Sequence, residues 1–550
     1  MRSKRHRDQS ISDLMGKQKI AEGKCKDLKH LQVEVSTSRG IIYGFHVDYG
    51  NDASKLYFGS ADVLLGIPYA RQPVGHLRFA RTVPLLKFKG GKHNASSYGK
   101  YCPQGARFDK SVMSEGCLKL NIFTPSVSSR LRLPVMVYIH GGGFAAGGGR
   151  DLDMPGAVTN FVSRHVVVVT LQYRLGVLGF FTTHTDDFPP NRGLHDSATA
   201  LQWVYEEIEA FGGDKSRITV FGVSAGSCTV AALTLSPLTR GIIHQAIMQS
   251  GGSLSLFDGY LSRSERSESI AETMCNVTKS EWESKRYGRL KQCMHDATIY
   301  TILAHDDEYG KHFDCFRLLV VYQREGREMA KSFNSTTYKK LFDRIAGNVT
   351  EDSHSRELIY TLLSAIYVKH NVPMLQETDH GRWLKAAVET LGGLIFIAPI
   401  AHEAEWYRNN NNTKVFIYQY EYESNLVHTE RVGNWKPVVH GEEICPLFLN
   451  EECWKAAERE NRTTSTDHVM ADRLAQMWTD FAKNERPSSY WEPFDDDDSF
   501  KYLAISYNST MKSAYGDKHR YAWNDILQAV IEHDNTTHYS VLSLEVQQTT

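Results

Sequence analysis

The sequence predicts an α/β protein built on one large, mostly parallel sheet with helices on both faces. Three features carry that expectation: short β-rich runs that are apolar throughout, intervening stretches with apolar residues at helical spacing, and Gly or Pro where one gives way to the other. Leu133–Ile139 is such a run, containing Pro134 and ending at a glycine cluster, and His165–Thr170 is almost pure valine. A strand covered on one face alternates polar and apolar residues; these do not, so cover on both faces is implied. Between them and the next run, Ile218–Phe221, the segment Ser197–Phe211 places Ala198, Leu201, Val204 and Ile208 at helical spacing. Gly212 and Gly213 then stand where a helix C-cap belongs. After Phe221 a glycine-bounded turn leads into a helical run through Val230, Ala231, Ala232 and Leu235. Further strands are expected at His244–Met248, Leu341–Ala346 and Lys414–Tyr420. Low complexity is confined to Asn409–Asn412 and Asp495–Asp498, read as solvated loops.

The chain has 550 residues, 41% hydrophobic and 23% charged, with 41 Gly and 16 Pro. That excludes collagen-like, coiled-coil and wholly disordered classes. Lys and Arg total 63 against 64 Asp and Glu, a net charge of −1, so no global field would hold a polyanion and no nucleic-acid partner is expected. The longest apolar stretches, around Val166–Val169 and Leu391–Ala401, are too short or too interrupted to predict a transmembrane segment. Residues 1–31 are basic and polar without the apolar core of a secretory signal, and are expected to form a disordered tail. Residues 32–525 are expected to form one domain, with 526–550 a C-terminal extension.

Eight Asn-x-Ser/Thr triplets, at Asn94, Asn276, Asn334, Asn348, Asn411, Asn461, Asn508 and Asn535, exceed the roughly three expected by chance and point to glycosylation. Nine cysteines are too few for a disulfide scaffold. Cys102 and Cys117 flank one short polar loop and Cys275 and Cys293 another; buried thiols and disulfides both fit that spacing. No CxxC and no nearby His pair offers metal-ligand spacing, so neither a metal nor a cofactor is expected. Sequons and cysteines favour a secreted or ER-lumenal protein, whereas the polar start of the chain leaves a cytoplasmic one open.

The sharpest chemical signal is Gly222-Val223-Ser224-Ala225-Gly226, between a strand and a helix. A turn this tight strains the serine backbone, and flanking glycines avoid the clashes that side chains would make. The pattern is weak alone, so its context decides. His140-Gly141-Gly142-Gly143-Phe144 follows a strand about eighty residues earlier. Consecutive glycines let backbone N–H groups converge on a developing oxyanion, with the Ala225 amide as a further donor. A phosphate cradle would lead into a helix with Lys-Ser/Thr or a G-x-G-x-x-G register, and Arg150-Asp151-Leu152-Asp153-Met154-Pro155 offers neither. In the order Ser, acid, His, the acidic pair Glu351-Asp352 follows the expected strand Leu341–Ala346, and His440 lies in Val438-Val439-His440-Gly441-Glu442-Glu443.

Several independent blocks make the chain from about Gln32 to Trp523 resemble the type-B carboxylesterases, the group of α/β-hydrolases that includes carboxylesterases and cholinesterases. These are Leu65-Gly66-Ile67-Pro68-Tyr69-Ala70, Cys117-Leu118 with Leu120-Asn121, Tyr173-Arg174-Leu175-Gly176, Phe211-Gly212-Gly213-Asp214 and Met477-Trp478-Thr479. The resemblance implies a serine hydrolase that cleaves small carboxylic esters through an acyl-enzyme. It makes Ser224 the nucleophile, His440 the base, and Gly142, Gly143 and Ala225 the oxyanion donors. The family acid, usually Glu, falls on Asp352, with Glu351 the alternative through a one-residue shift. The family's short disulfides fall on Cys102 with Cys117 and Cys275 with Cys293, and its internal salt bridge on Arg78 with Glu115.

Departures from the pattern are Val223 where the family commonly has Glu before the nucleophile, and Gly116 where Asp usually precedes Cys117. The loop from Cys102 to Cys117 carries Phe108 and no tryptophan, so choline esters are not expected as preferred substrates. Phe144 is expected to line the pocket. A non-catalytic adhesion or scaffold protein and an acyltransferase on the same triad are the competing readings.

Overall fold

The structure is a computed structural model that describes residues 32–105, 109–255, 264–310, 332–349, 352–369, 375–427, 431, 436–494, 499–527 and 529–530. The basic tail, Phe108, Glu351, Asp495–Asp498 and Asn535 lie outside the described residues.

Among the described residues, nine strands form the large sheet: β1 (Gln32–Thr37), β2 (Gly40–Asp48), β3 (Ser60–Pro68), β4 (Lys92–Asn94), β5 (Lys119–Thr124), β6 (Leu133–Ile139), β7 (Val167–Leu171), β8 (Gly213–Val223) and β9 (Gln245–Gln249). They run in the order β1-β2-β3-β5-β7-β6-β8-β9, with β4 beside β2. Pairing is antiparallel along β1-β2-β3-β5-β7 and parallel across β7-β6-β8-β9 and between β2 and β4, so the sheet is mixed rather than mostly parallel as expected. The parallel half is where the apolar runs lie, and alternate residues in it feed two separate cores. Val135, Val137, Ile139, Val167, Val169, Ile218 and Val220 face one side, while Met136, Tyr138, Val166, Val168, Phe221 and Val223 face the other. Both faces being covered is why these strands carry no polar alternation.

Helix α1 (Arg192–Glu207) packs Ala198, Leu201 and Val204 on the first face, continues through a 3₁₀ turn at Ile208–Phe211, and stops at Gly212 with φ 81°. That left-handed residue is the C-cap expected there. Helix α2 (Ala225–Leu235) joins the same face through Val230 and Leu233. The second face is covered by α7 (Ile444–Phe448) and α8 (Ser465–Asn484), through Leu447, Phe448, Met470, Leu474 and Trp478.

Two expected strands are corrected. Leu341–Ala346 is helical, inside α3 (Ser335–Val349). Tyr338, Phe342 and Ala346, four residues apart, are all buried in one cluster, so the 3.6-residue period prevails over a short apolar run. Lys414–Tyr420 narrows to β10 (Tyr418–Tyr420), which pairs with β11 (Tyr502–Ile505), itself paired with β12 (Thr510–Lys512), in a second, three-stranded sheet. Helix α4 (Ser353–Ser364) follows α3.

Helices α5 (His380–Gly392) and α6 (Ala398–Asn409) run on as one through a wide π turn at Gly393–Ile397. By length and composition this run could cross a membrane, but half of its most apolar window is buried inside the protein, where Leu384, Ala387 and Leu391 join the α3 cluster.

Covalent and ionic ties hold the periphery. Cys102–Cys117 and Cys275–Cys293 are bonded as the resemblance implied, and Cys445–Cys453 adds a third disulfide that sequence reading missed. Cys228 is a buried thiol. Arg78 forms a bidentate pair with Glu115 (2.6 and 3.0 Å) and donates to the carbonyls of Met294, His295 and Ala297. Arg174 pairs with Asp196 through two bonds of 2.8 and 2.9 Å, both side chains being buried.

Candidate active site

Strands β6, β8 and β9 end side by side, and their carboxyl ends carry the candidate residues, as open α/β sheets favour. Ser224 leaves β8 with φ 57° and ψ −126°, and α2 starts at the next residue. Such a backbone is strained for a residue with a side chain, and the surroundings over-determine it. The Ser224 amide donates to the Gln249 carbonyl at 2.8 Å, and its carbonyl accepts from the Cys228 amide at 3.0 Å. A Cβ on Gly226 would lie 2.1 Å from the Ile139 carbonyl oxygen, and one on Gly222 would lie 2.6 Å from the Gly226 backbone. Both glycines are therefore required by the closeness of the turn to β6. The result is a serine that is 5% exposed, with an Oγ that has no hydrogen-bond partner among the described residues.

The glycine turn after β6 packs directly on this serine. A Cβ on Gly141 would sit 2.4 Å from the Val223 carbonyl oxygen and 3.2 Å from the Ser224 Cβ. Gly142 (φ 103°) and Gly143 (φ 61°) take left-handed conformations, and the Gly142 carbonyl accepts from the Ala145 and Ala146 amides. Ala225 opens α2, so its amide belongs to the first turn, whose N–H groups lack intrahelical acceptors. Gly141 is thus the residue of this turn that touches the serine elbow, Gly142 and Gly143 continue the turn from it, and Ala225 adjoins the serine at the start of α2. His140 is buried and stacked on Tyr173 at 4.4 Å, and burial brings its imidazole down to about 4. Phe144, expected in the pocket, is a core residue with a positive φ of 58°, packed edge-on to Phe180 at 5.2 Å.

His440 lies in a loop clamped by its neighbours. Glu442 accepts from the amides of Val439 (2.8 Å) and Ser424 (3.1 Å), and Gly441 turns the chain at φ 77°. The buried Glu443 accepts from Gln249 Nε2 at 3.1 Å, and Gln249 Oε1 accepts from Trp478 Nε1 at 3.0 Å. Because the Gln249 carbonyl also takes the Ser224 amide, one residue at the end of β9 links the serine turn to the histidine loop. Phe396 stacks on the His440 ring at 4.6 Å, and desolvation lowers the imidazole from 6.5 to about 4. The same burial raises Glu443 and pushes Glu442 up to about 7. At neutral pH the imidazole is uncharged, as a base requires.

Asp352 is the N-cap of α4, where its Oδ2 accepts the Ser355 amide at 2.6 Å. It follows a helix rather than the expected strand, and this bond points along its own helix, not to the serine. Gln249, Glu443 and Phe396 were missed by sequence reading. Glu443 alone had a signal, as a carboxylate three residues after the candidate histidine.

A strained serine on a strand-to-helix elbow, facing a left-handed glycine turn in a sheet with helices on both faces, defines an α/β-hydrolase. Residues 31–317 and 314–523 match the carboxylesterase family, and the chain belongs to it. It is 29% identical over 510 residues to pyrethroid hydrolase Ces2e of Rattus norvegicus, covering 86% of each chain. It is 29% identical over 548 residues to carboxylesterase 1D of Rattus norvegicus, covering 90% of this chain and 93% of the relative. With the liver carboxylesterase of Sus scrofa it shares 28% identity over 545 residues, again covering 90% and 93%. The protein is a serine hydrolase of carboxylic esters.

Proposed function

We propose that Ser224 is the nucleophile of this esterase and His440 its base. His440 takes the Ser224 Oγ proton as the oxygen attacks the ester carbonyl, and the amides of Gly142, Gly143 and Ala225 receive the oxyanion. Collapse of the tetrahedral adduct breaks the bond to the alcohol, which leaves with the proton from His440. A water that gives its proton to His440 then cleaves the acyl-Ser224 ester and restores the serine. The observation that carries this reading is the strained, buried Ser224 with its Oγ unpartnered and the glycine turn packed against it. Ser224→Ala is expected to lower hydrolysis of p-nitrophenyl butyrate by about 10⁴-fold or more and to abolish fluorophosphonate labelling. Equal rates in the two proteins would overturn it.

Asp352 is proposed as the acid that sets the His440 tautomer, a role that requires its carboxyl to serve the imidazole besides capping α4. Asp352→Asn should reduce kcat by roughly 10²–10⁴-fold while Ser224 remains titratable by the probe. A normal rate would transfer the role to Glu351. The substrates are small esters, and a relative named as a pyrethroid hydrolase suggests pyrethroid esters among those to test.

The helical run His380–Asn409 serves as a core element rather than a membrane span, since its apolar face packs on α3 and the second sheet. The compartment proposed is the secretory route, either the ER lumen or outside the cell. Three disulfides support this, as do exposed sequons at Asn94, Asn276, Asn411, Asn461 and Asn508. Three of these asparagines sit at left-handed turns, Asn276, Asn411 and Asn461. Native protein should lose mass on treatment with peptide N-glycosidase F; an unglycosylated, fully reduced chain would return it to the cytoplasm.

A further inference from the structure

His440 and the Gly251-Gly252 pair share a cavity of about 1230 Å³, whose wall on one side is the helical run through the π turn. From that run Phe396, Ile400, Glu403 and Tyr407 line the cavity at spacings of four, three and four, which is one helical face. Three of the four suit a site for apolar ester groups. Glu403 does not, and it is 5% exposed. Its Oε2 accepts from the Ser253 amide at 2.5 Å, while its Oε1 has no hydrogen-bond partner among the described residues.

A buried carboxyl is costly to leave half satisfied, and the positions around Glu403 are shaped to keep it. A Cβ on Gly252 would lie 2.1 Å from Glu403 Oε2, and one on Gly251 would lie 2.8 Å from the Ser224 carbonyl oxygen. The two glycines therefore form a thin strip between the serine turn and the carboxyl. The lysines and the arginine that line the cavity, Lys414, Lys518 and Arg240, are solvent-exposed, and the first two are paired with Glu485 and Glu389. Glu403 has no ion-pair partner among the described residues; burial raises its carboxyl to about 7, and hydrogen bonds from the backbone and side chain of Ser253 hold it from rising further. The cavity thus presents a buried acid without an ion-pair partner among the described residues, on a wall it shares with the candidate base His440 and the Phe396 ring stacked on it, and one glycine strip away from the serine turn.

We propose that Glu403 is a specificity-determining residue that binds an N–H donor, a protonated amine, on the substrate of the esterase site. The assignment deepens the esterase reading and rests on it. It differs from recognition of a quaternary ammonium by aromatic faces, because a quaternary nitrogen has no N–H to give to a carboxylate.

The test compares 3-(dimethylamino)propyl butyrate with its carbon isostere 4-methylpentyl butyrate, at about pH 8 where the amine is still protonated. Wild type should favour the amine ester in kcat/KM by roughly tenfold or more, as a charge-assisted hydrogen bond predicts. In Glu403→Gln that preference should fall about tenfold towards unity. A wild-type preference at or below unity overturns the assignment and needs no variant to fold; so does a preference that Glu403→Gln leaves intact. Hydrolysis of the carbon ester, and its loss in Ser224→Ala, reports on the esterase reading separately. If the carbon ester is turned over without preference for the amine, Glu403 alone is refuted.

Discussion

At the scale of the residue, the site is governed by close approach and by burial. Gly226 and Gly222 hold the elbow because the β6 carbonyls and the turn's own backbone leave no room for a methyl group. Gly226→Ala should therefore destabilise the fold by about 2–4 kcal/mol and remove activity, read as a lowered denaturation midpoint. His440 owes its low affinity for protons to desolvation, and the direction of its pH effect follows. The unfolded imidazole takes a proton near 6.5 and the folded one not until about 4, so the unfolded state binds more protons in between. Its contribution to stability is whole above 6.5 and is lost as pH falls towards 4. Activity should behave alike: kcat/KM for a neutral ester should hold through the ordinary histidine range and fall nearer 4. An acid limb centred at 6.5 would contradict the burial of the ring.

At the scale of the element, α3 and the disulfide after His440 are the informative cases. In the helix 335–349, Phe342 is buried and Lys340 exposed on opposite faces. Phe342→Ala should then cost about 3–5 kcal/mol and Lys340→Ala under about 0.5 kcal/mol, read by denaturant unfolding. A strand would put both residues on one face and draw their costs together. Removing the Cys445–Cys453 bridge with Cys445→Ser should cost about 2–3 kcal/mol for so short a loop.

The parallel strands, α1, its glycine cap and the serine elbow were legible in the sequence because each is decided locally, by continuous apolar runs, by spacing or by glycine. Leu341–Ala346 was misread because six apolar-rich residues fit either period, and only the neighbours at Tyr338 and the cluster beneath settle it. Gln249, Phe396 and Glu403 were not legible, since each gains its role from a partner more than a hundred residues away or across the cavity.

At the scale of the whole molecule, buried charge pairs join segments that the sheet alone would leave loose. Arg174 meets Asp196 and also donates to the carbonyls of Arg78 and Ala80, while Arg78 reaches Glu115 and the segment around Ala297. Asp196→Ala would strand a buried guanidinium, and a loss of about 3–5 kcal/mol is expected in calorimetry, with the elbow intact but the fold less cooperative. The π turn at Gly393–Ile397 has a different kind of reach. A wide turn holds one residue more than an α-helical turn, so it works as a gauge that sets the rotation of everything beyond it. Excising a single residue there would tighten the turn and swing α6 by about 100°, taking Glu403 and Tyr407 off the cavity wall together. Variation in the length of this helix is therefore a route by which related chains could exchange one pocket lining for another without a single side chain being substituted.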